Sequence, residues 1–225
     1  MDDVMISVAI DGPAGAGKST IARAVAKALG FLYVDTGALY RSIAFYALAQ
    51  GIDPSDESLV LPLLKEIKVE LAFQNGEQRV LLCQKDVTDS IRTSEVSMAA
   101  SKISAIPAVR QFLFGLQRDM AERYNVIMDG RDIGTVVLPN AKVKIFLTAS
   151  AEDRAKRRYD EMISKGESAV YEQVLQDIRR RDEQDANRAI APLRPAPDAI
   201  LLDTTGNRLE DSIALLRSTI EEHLK

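Results

Sequence analysis

Residues Gly12-Pro13-Ala14-Gly15-Ala16-Gly17-Lys18-Ser19-Thr20 have the types and the spacing to hold a chain of phosphates. They spell GxxxxGK(S/T) between a strand-like apolar run, residues 5–10, and a helix-like run, residues 21–29. Glycines at three positions let successive backbone N–H groups turn into one concavity, where side chains would collide with phosphate oxygens. A helix starting near Lys18 adds its unsatisfied N–H groups and the positive end of its dipole. Lys18 can reach the β- and γ-phosphates, and the Ser19 hydroxyl stands where this motif ligates Mg²⁺. With a strand before it and a helix after it, the stretch reads as a nucleoside-triphosphate site rather than a glycine-rich turn.

Kinases, switches and motors share such a site, so three further clusters bear on its use. Asp35-Thr36-Gly37-Ala38-Leu39-Tyr40-Arg41 follows a second short apolar run, residues 31–35, and opens a helical pattern. Ligands of parallel sheets bind beyond the carboxyl ends of the strands, so Arg41 either grips a second anion or is a solvated helix residue. Asp129-Gly130-Arg131-Asp132, with Gly134 after it, ends another strand-like run. A plain turn rarely needs an arginine between aspartates, and that favours function. In the third cluster Arg154, Arg157 and Arg158 share a helix face at i, i+3 and i+4, and Arg179, Arg180, Arg181, Asp185 and Arg188 follow. Charge runs are usually solvated, but on a segment set between core strands these arginines suit a lid closing over a transferring phosphoryl group.

The elements that must position these groups follow from periodicity. Short apolar runs at 5–10, 31–35, 125–128, 142–147 and 199–202 read as core strands. They alternate with helical patterns at 21–29, 38–50, 59–67, 94–103, 107–123, 151–188 and 209–224. Alternating residues at 69–74 and 79–82 around Asn75-Gly76 predict an antiparallel hairpin outside that order. Pro192, Pro195 and Pro197 mark a loop. The reading is an α/β P-loop NTPase: a five-stranded parallel sheet covered by helices, an acceptor-binding insert with a small antiparallel hairpin, and a short helical lid. We expect one domain over 1–225, with its core at about 1–35, 104–150 and 189–225, the acceptor-binding region at 36–103 and the lid at 151–188.

Composition removes several classes. The 225 residues are 46% hydrophobic and 28% charged, which suits a globular α/β domain. A net charge of −4 with 5% aromatics argues against nucleic acid and against an anionic membrane surface. Cys83 is the lone cysteine and His223 the lone histidine, which excludes an intramolecular disulfide, a Cys/His metal cluster and a Ser-His-Asp triad. The acidic start Met1-Asp2-Asp3, and no apolar stretch near the roughly 18 residues of a membrane span, predict a cytoplasmic protein.

Taken in order, G-P-A-G-A-G-K, D-T-G-A-L-Y-R, D-G-R-D-I-G-T-V-V and N-R-A-x-A-P-L resemble the bacterial cytidylate kinases, within the nucleoside-monophosphate kinase family. The resemblance covers nearly the whole chain, hairpin insert included. It implies transfer of the ATP γ-phosphoryl to CMP or dCMP with Mg²⁺, by a monomer. It also implies an acceptor site of Thr36, Gly37, Arg41, Ser101, Arg110, Arg131, Asp132, Arg181, Asp185 and Arg188. In the family the counterparts of Ser101, Arg110 and Asp132 face the base, those of Arg41, Arg131 and Arg188 the acceptor phosphate, and those of Arg181 and Asp185 the sugar. Lys18, Arg131, Arg188 and Arg158 are the catalytic candidates. Relatives often carry Gly after the loop lysine and Thr after that, close to the metal. Here Ser19 and Thr20 both bear hydroxyls, and the general motif favours Ser19. Two rivals are a kinase of this fold acting on UMP or a small metabolite, and a nucleotide-binding switch. A guanine-reading switch wants an N-K-x-D element, which the chain lacks, and the D-x-x-G string at 203–206 stands too late in the chain for that use.

Overall fold

The core strands are short and rich in Val, Ile and Leu; the inner ones are buried on both faces, as a parallel sheet between two helical layers requires, while the last, at the sheet edge, leaves Leu201 exposed. The computed structural model describes residues 5–225, so the acidic start Met1-Asp2-Asp3 lies outside it. In chain order the elements are β1 (Ser7–Asp11), α1 (Lys18–Leu29), β2 (Leu32–Asp35), α2 (Thr36–Ala49), α3 (Glu57–Leu63), β3 (Val69–Gln74), β4 (Glu77–Leu82) and β5 (Lys85–Asp86). There follow α4 (Ser94–Ile103), α5 (Pro107–Arg123), β6 (Val126–Gly130), a π-turn (Ile133–Val137), β7 (Val143–Thr148), α6 (Ala151–Ser164), α7 (Tyr171–Asn187), β8 (Ile200–Asp203) and α8 (Leu209–Leu224).

The main sheet has the order β2-β6-β1-β7-β8, every pair parallel. Ile21 and Val25 of α1 pack with Leu216 and Ile220 of α8 on one face. Met120 and Ala121 of α5, with Ile133 and Val137 of the π-turn, close the other. A fully buried aliphatic side chain contributes about 1.5–3 kcal/mol, so these two layers hold the sheet. Register then concentrates charge at one edge: Asp35 stands opposite Asp129, and Asp11 opposite Gly130. Three neighbouring strands thus present aspartates at their carboxyl ends. Gly12, just beyond β1, has φ 151°, and a Cβ there would lie 2.0 Å from the Leu147 carbonyl oxygen of β7. Only glycine lets the chain leave the sheet on this path.

A second core lies within residues 36–113, where Leu39, Ile43 and Ala47 of α2 meet Val96, Ala100 and Ile103 of α4 and Val80 and Leu82 of β4. A third, small cluster of Ala155, Val174 and Ile178 joins α6 to α7. Among the described residues no helix is long and apolar enough to cross a membrane.

The expected strands and most helices stand within one to three residues of where periodicity puts them; the 59–67 helix, observed as α3, departs most. Asp56 caps it two residues earlier than expected, and it ends just after Pro62. Three features differ from the sequence expectation. The hairpin is a three-stranded sheet, because Cys83 and Gln84, with φ 49° and 68°, form a second tight turn into β5. Asn75-Gly76 announces the first turn, but Cys-Gln does not announce the second. The π-turn has no periodic pattern of its own. The charged stretch at 151–188 is two helices, α6 ending at Gly166 with φ 76°.

Candidate active site

The loop between β1 and α1 leads straight into a helix with Gly17 at its N-cap, φ 80°, and no side chain capping the first turn. Its N–H groups are therefore free for an anion. The buried Lys18 Nζ donates to the Pro13 carbonyl at 2.7 Å. Burial, and then the Arg131 guanidinium, push its pKa well below the ordinary lysine value. Ser19 Oγ donates to Asp129 Oδ2 at 2.9 Å, and Tyr33 Oη donates to Asp129 Oδ1 at 3.0 Å. Burial, and then the Asp35 charge, raise the Asp129 pKa. A hydroxyl and a buried carboxylate held together at a phosphate loop form a hard oxygen set, which fits Mg²⁺ with phosphates and water completing its shell. Thr20 is exposed, and among the described residues no three acidic, His or Cys side chains cluster to hold a metal alone.

Cations converge beside this loop. Arg41 Nη2 donates to Asp35 Oδ2 at 2.8 Å, and Arg131 Nε to Asp185 Oδ2 at 2.9 Å. Arg181 lines the same cleft, and burial, then Arg131, with Arg41 contributing, lower its pKa to about 10. The Nε atoms of Arg41 and Arg181 are buried and have no hydrogen-bond partner among the described residues. Like charges kept this close repel, and an anion between them would relieve that repulsion.

Next to the cations is a drier, paired cluster. Asp132, 4% exposed, accepts from Arg110 Nη2 on one oxygen and from Arg188 Nη2 at 3.2 Å on the other. Arg188 Nη1 also donates to Ser104 Oγ at 3.3 Å. The Arg110 guanidinium sits 5.9 Å from the centre of the Tyr40 ring. Ser101 Oγ donates to Asp185 Oδ1 at 3.1 Å. The loop carrying Arg131 and Asp132 is held from beneath by Asp11, whose two oxygens accept from Ile133 N–H at 2.7 Å and Gly134 N–H at 2.8 Å. Burial outweighs those two bonds and raises Asp11 to about 6.

Helix α6 supplies three arginines with different partners. Arg154 is buried; its Nη1 donates to the Ala14 carbonyl at 2.9 Å, and its Nη2 to Asp182 Oδ2 at 2.6 Å, tying the helix pair to the phosphate loop. Arg157 Nη2 donates to the Thr204 carbonyl at 2.8 Å. Arg158 bridges Glu161, at 3.0 Å, and Ser94 Oγ of α4, at 3.1 Å.

Lys18, Ser19, Asp129, the paired cluster and Arg41, Arg131, Arg157, Arg158 and Arg181 line one cleft of about 640 Å³ at the carboxyl edge of the sheet, with Asp11, Tyr33 and Arg154 supporting it from behind. Every site residue expected from the sequence lines it except Gly12 and Pro13, which lie beneath the loop. The grouping differs from the family pattern in three places. Arg188 stands with Asp132 and Arg110 rather than with Arg41 and Arg131, and Ser101 stands with Asp185. Arg181 joins the phosphate-side cations. Asp129 and Tyr40 belong to the clusters singled out in the sequence, where neither has a role of its own, and Asp11 has no signal there beyond closing the first apolar run.

Against known proteins, the family described as Cytidylate kinase matches residues 8–222. A cytidylate kinase from Carboxydothermus hydrogenoformans is 50% identical over 213 residues, which cover 95% of this chain and 96% of that protein. One from Halalkalibacterium halodurans is 47% identical over 219 residues, covering 97% and 99%. Among solved structures, an uncharacterized protein from Eubacterium ventriosum superposes with a TM-score of 0.53 at 12% identity over 96% of this chain and 99% of that one, a likeness of fold alone.

Proposed function

The chain belongs to the cytidylate kinase family, and from that premise we propose how its cleft performs the family reaction, ATP-dependent phosphorylation of CMP and dCMP. The observation that carries the residue roles is the convergence of Lys18, Arg41, Arg131 and Arg181 beside the phosphate loop, two of them with buried, unpartnered Nε atoms.

Within the ATP loop, residues 12–20, the backbone N–H groups from Ala14 onward hold the phosphates. Ser19, backed by Asp129 and Tyr33, holds Mg²⁺, which when bound neutralises phosphate charge. Arg41, Arg131 and Arg181 take the acceptor phosphate and the group in transfer. Ser101 and Asp185 take the sugar hydroxyls, and Arg110, Asp132 and Arg188, with Tyr40 alongside, take the base. Residues 36–103 form the acceptor-binding region and 151–188 the lid, whose Arg158 reaches across to Ser94. The acceptor phosphate is already ionised at neutral pH, so no general base is needed. Catalysis is alignment of two anions and relief of their repulsion, and lid closure keeps water from competing for the phosphoryl group.

ATP consumption measured separately with CMP, dCMP, UMP, AMP and shikimate tests the reading. CMP and dCMP should dominate, and preference for UMP or shikimate would replace it. The clamp has its own test. Arg181→Gln should weaken CMP by about 2–5 kcal/mol, the cost of losing a charged partner, and cytidine far less. Arg188→Gln should weaken CMP and cytidine alike, because its partner is Asp132. Calorimetric titration separates the outcomes, and equal losses in Arg181→Gln would remove that residue from the clamp.

A further inference from the structure

Strand β2 is an edge strand of the parallel sheet, with β6 on one side only. At its last residue the other side is taken by a side chain. Gln78, on β4 of the antiparallel insert, accepts from the Asp35 N–H through Oε1 at 2.8 Å and donates Nε2 to the Asp35 carbonyl at 3.2 Å. One amide thus meets both peptide groups of a single residue, as a further strand would. The Asp35 carboxylate is held as firmly. Oδ1 accepts from Ala38 N–H at 3.0 Å and caps α2. Oδ2 accepts from Arg41 at 2.8 Å and lies 3.2 Å from Arg92, on the segment leaving the insert. To reach Asp35 the Arg41 side chain folds across Gly37, where a Cβ would lie 3.2 Å from both Arg41 Nη1 and Asp35 Oδ1.

Arg41 therefore points by way of Asp35, and the insert holds Asp35 twice, at its backbone through Gln78 and at its carboxylate through Arg92. We infer that the antiparallel insert positions the acceptor phosphate through Gln78 and Arg92, which fix Asp35 and so aim Arg41. The inference rests on the reading above, in which Arg41 takes that phosphate. A guanidinium carries five donors, and Arg41, which lines the cleft, spends one on Asp35 while its buried Nε has no partner among the described residues. Alone, Asp35 would hold Arg41 in competition with a phosphate. Arg92, sharing the same oxygen, weakens that hold without loosening the carboxylate.

The test is steady-state kinetics with CMP and ATP varied separately, in Gln78→Met and Arg92→Gln, each repeated with Arg41→Gln. Either change should raise the CMP KM by about tenfold, inside the ~100-fold that misplacement by an ångström costs, with the ATP KM within about twofold. With Arg41→Gln present the same changes should add less than about twofold, since there is no guanidinium left to aim. A merely structural Gln78 would lower the melting temperature, leave the two KM values moving together, and act equally in both backgrounds; that pattern overturns the inference. If Gln78→Met does not fold, Gln78→Glu, which keeps the acceptor and loses the donor, and Arg92→Gln carry the same test. A wild-type protein that fails to phosphorylate CMP refutes the reading of the site. An active wild type with an unshifted CMP KM in both variants refutes this inference alone.

Discussion

Lys18→Ala lowers turnover with ATP and CMP by at least about 10²–10³-fold, the loss seen when one donor to developing charge is removed, while ATP affinity falls far less. The expectation comes from where the ammonium sits. Lys18 is 5% exposed and folded onto the Pro13 carbonyl, in a pocket where burial and Arg131 work against its charge and Asp129 and Asp11 support it. Triphosphate entering the loop supplies the opposite charge that this pocket lacks, and the ammonium can leave Pro13 for it. The backbone N–H groups remain to bind ground-state phosphates, so what the mutant loses is stabilisation that grows as the phosphoryl group moves. Rapid-quench turnover alongside nucleotide titration measures both terms. Normal turnover with only a raised ATP KM would show that Lys18 binds and does not catalyse.

Asp132→Asn has the second large effect, and it is on selectivity. Cytosine presents an exocyclic amine as donor beside the N3 acceptor, whereas uracil presents an acceptor and then a donor. Each Asp132 oxygen already receives one guanidinium, and each retains a lone pair for the amine. Arg110 and Arg188 keep N–H groups for N3 and the neighbouring carbonyl. Facing uracil, these groups are left unpaired in a dry pocket, and such sites discriminate by roughly 10⁴-fold. Asparagine keeps the shape and removes the charge, so the ratio of kcat/KM for CMP over UMP should narrow by at least about tenfold, part of that 10⁴-fold. Stability should fall too, by about 3 kcal/mol, because two buried arginines lose their common partner. Both substrates falling by the same factor in a folded variant would leave Asp132 a loop brace and no more.

How far the residues announced this arrangement depends on the kind of interaction. The phosphate loop was legible because its chemistry needs consecutive residues of fixed type, and the core strands because a covered parallel sheet calls for short, continuous apolar runs. Arg188 and Ser101 were legible as site residues, but their partners were not. Asp132 is 56 residues from Arg188, and Asp185 is 84 from Ser101, so only the fold decides which charge meets which. Gln78 looked like one polar residue on a hairpin. Its partner is a peptide group 43 residues away, and backbone groups leave no trace in side-chain pattern. Asp11 reads as a plain strand end, and Asp129 as a member of its cluster without a defined role, because their partners are N–H groups and hydroxyls brought in by other segments.

Strand β1 also governs the order in which this protein can be built. The phosphate loop belongs to the first twenty residues, yet both neighbours of β1 come late: β6 spans Val126–Gly130 and β7 spans Val143–Thr148. On a ribosome the loop emerges early and has nothing to pair with until more than half the chain has followed, while the acceptor-side core of α2, α4 and the insert can collect itself locally in the meantime. Closing β1 onto β6 and β7 is the long-range step that unites that core with the rest. A nascent chain halted before β7 therefore carries the whole phosphate-binding motif but lacks one of the two strands that hold β1 in the sheet.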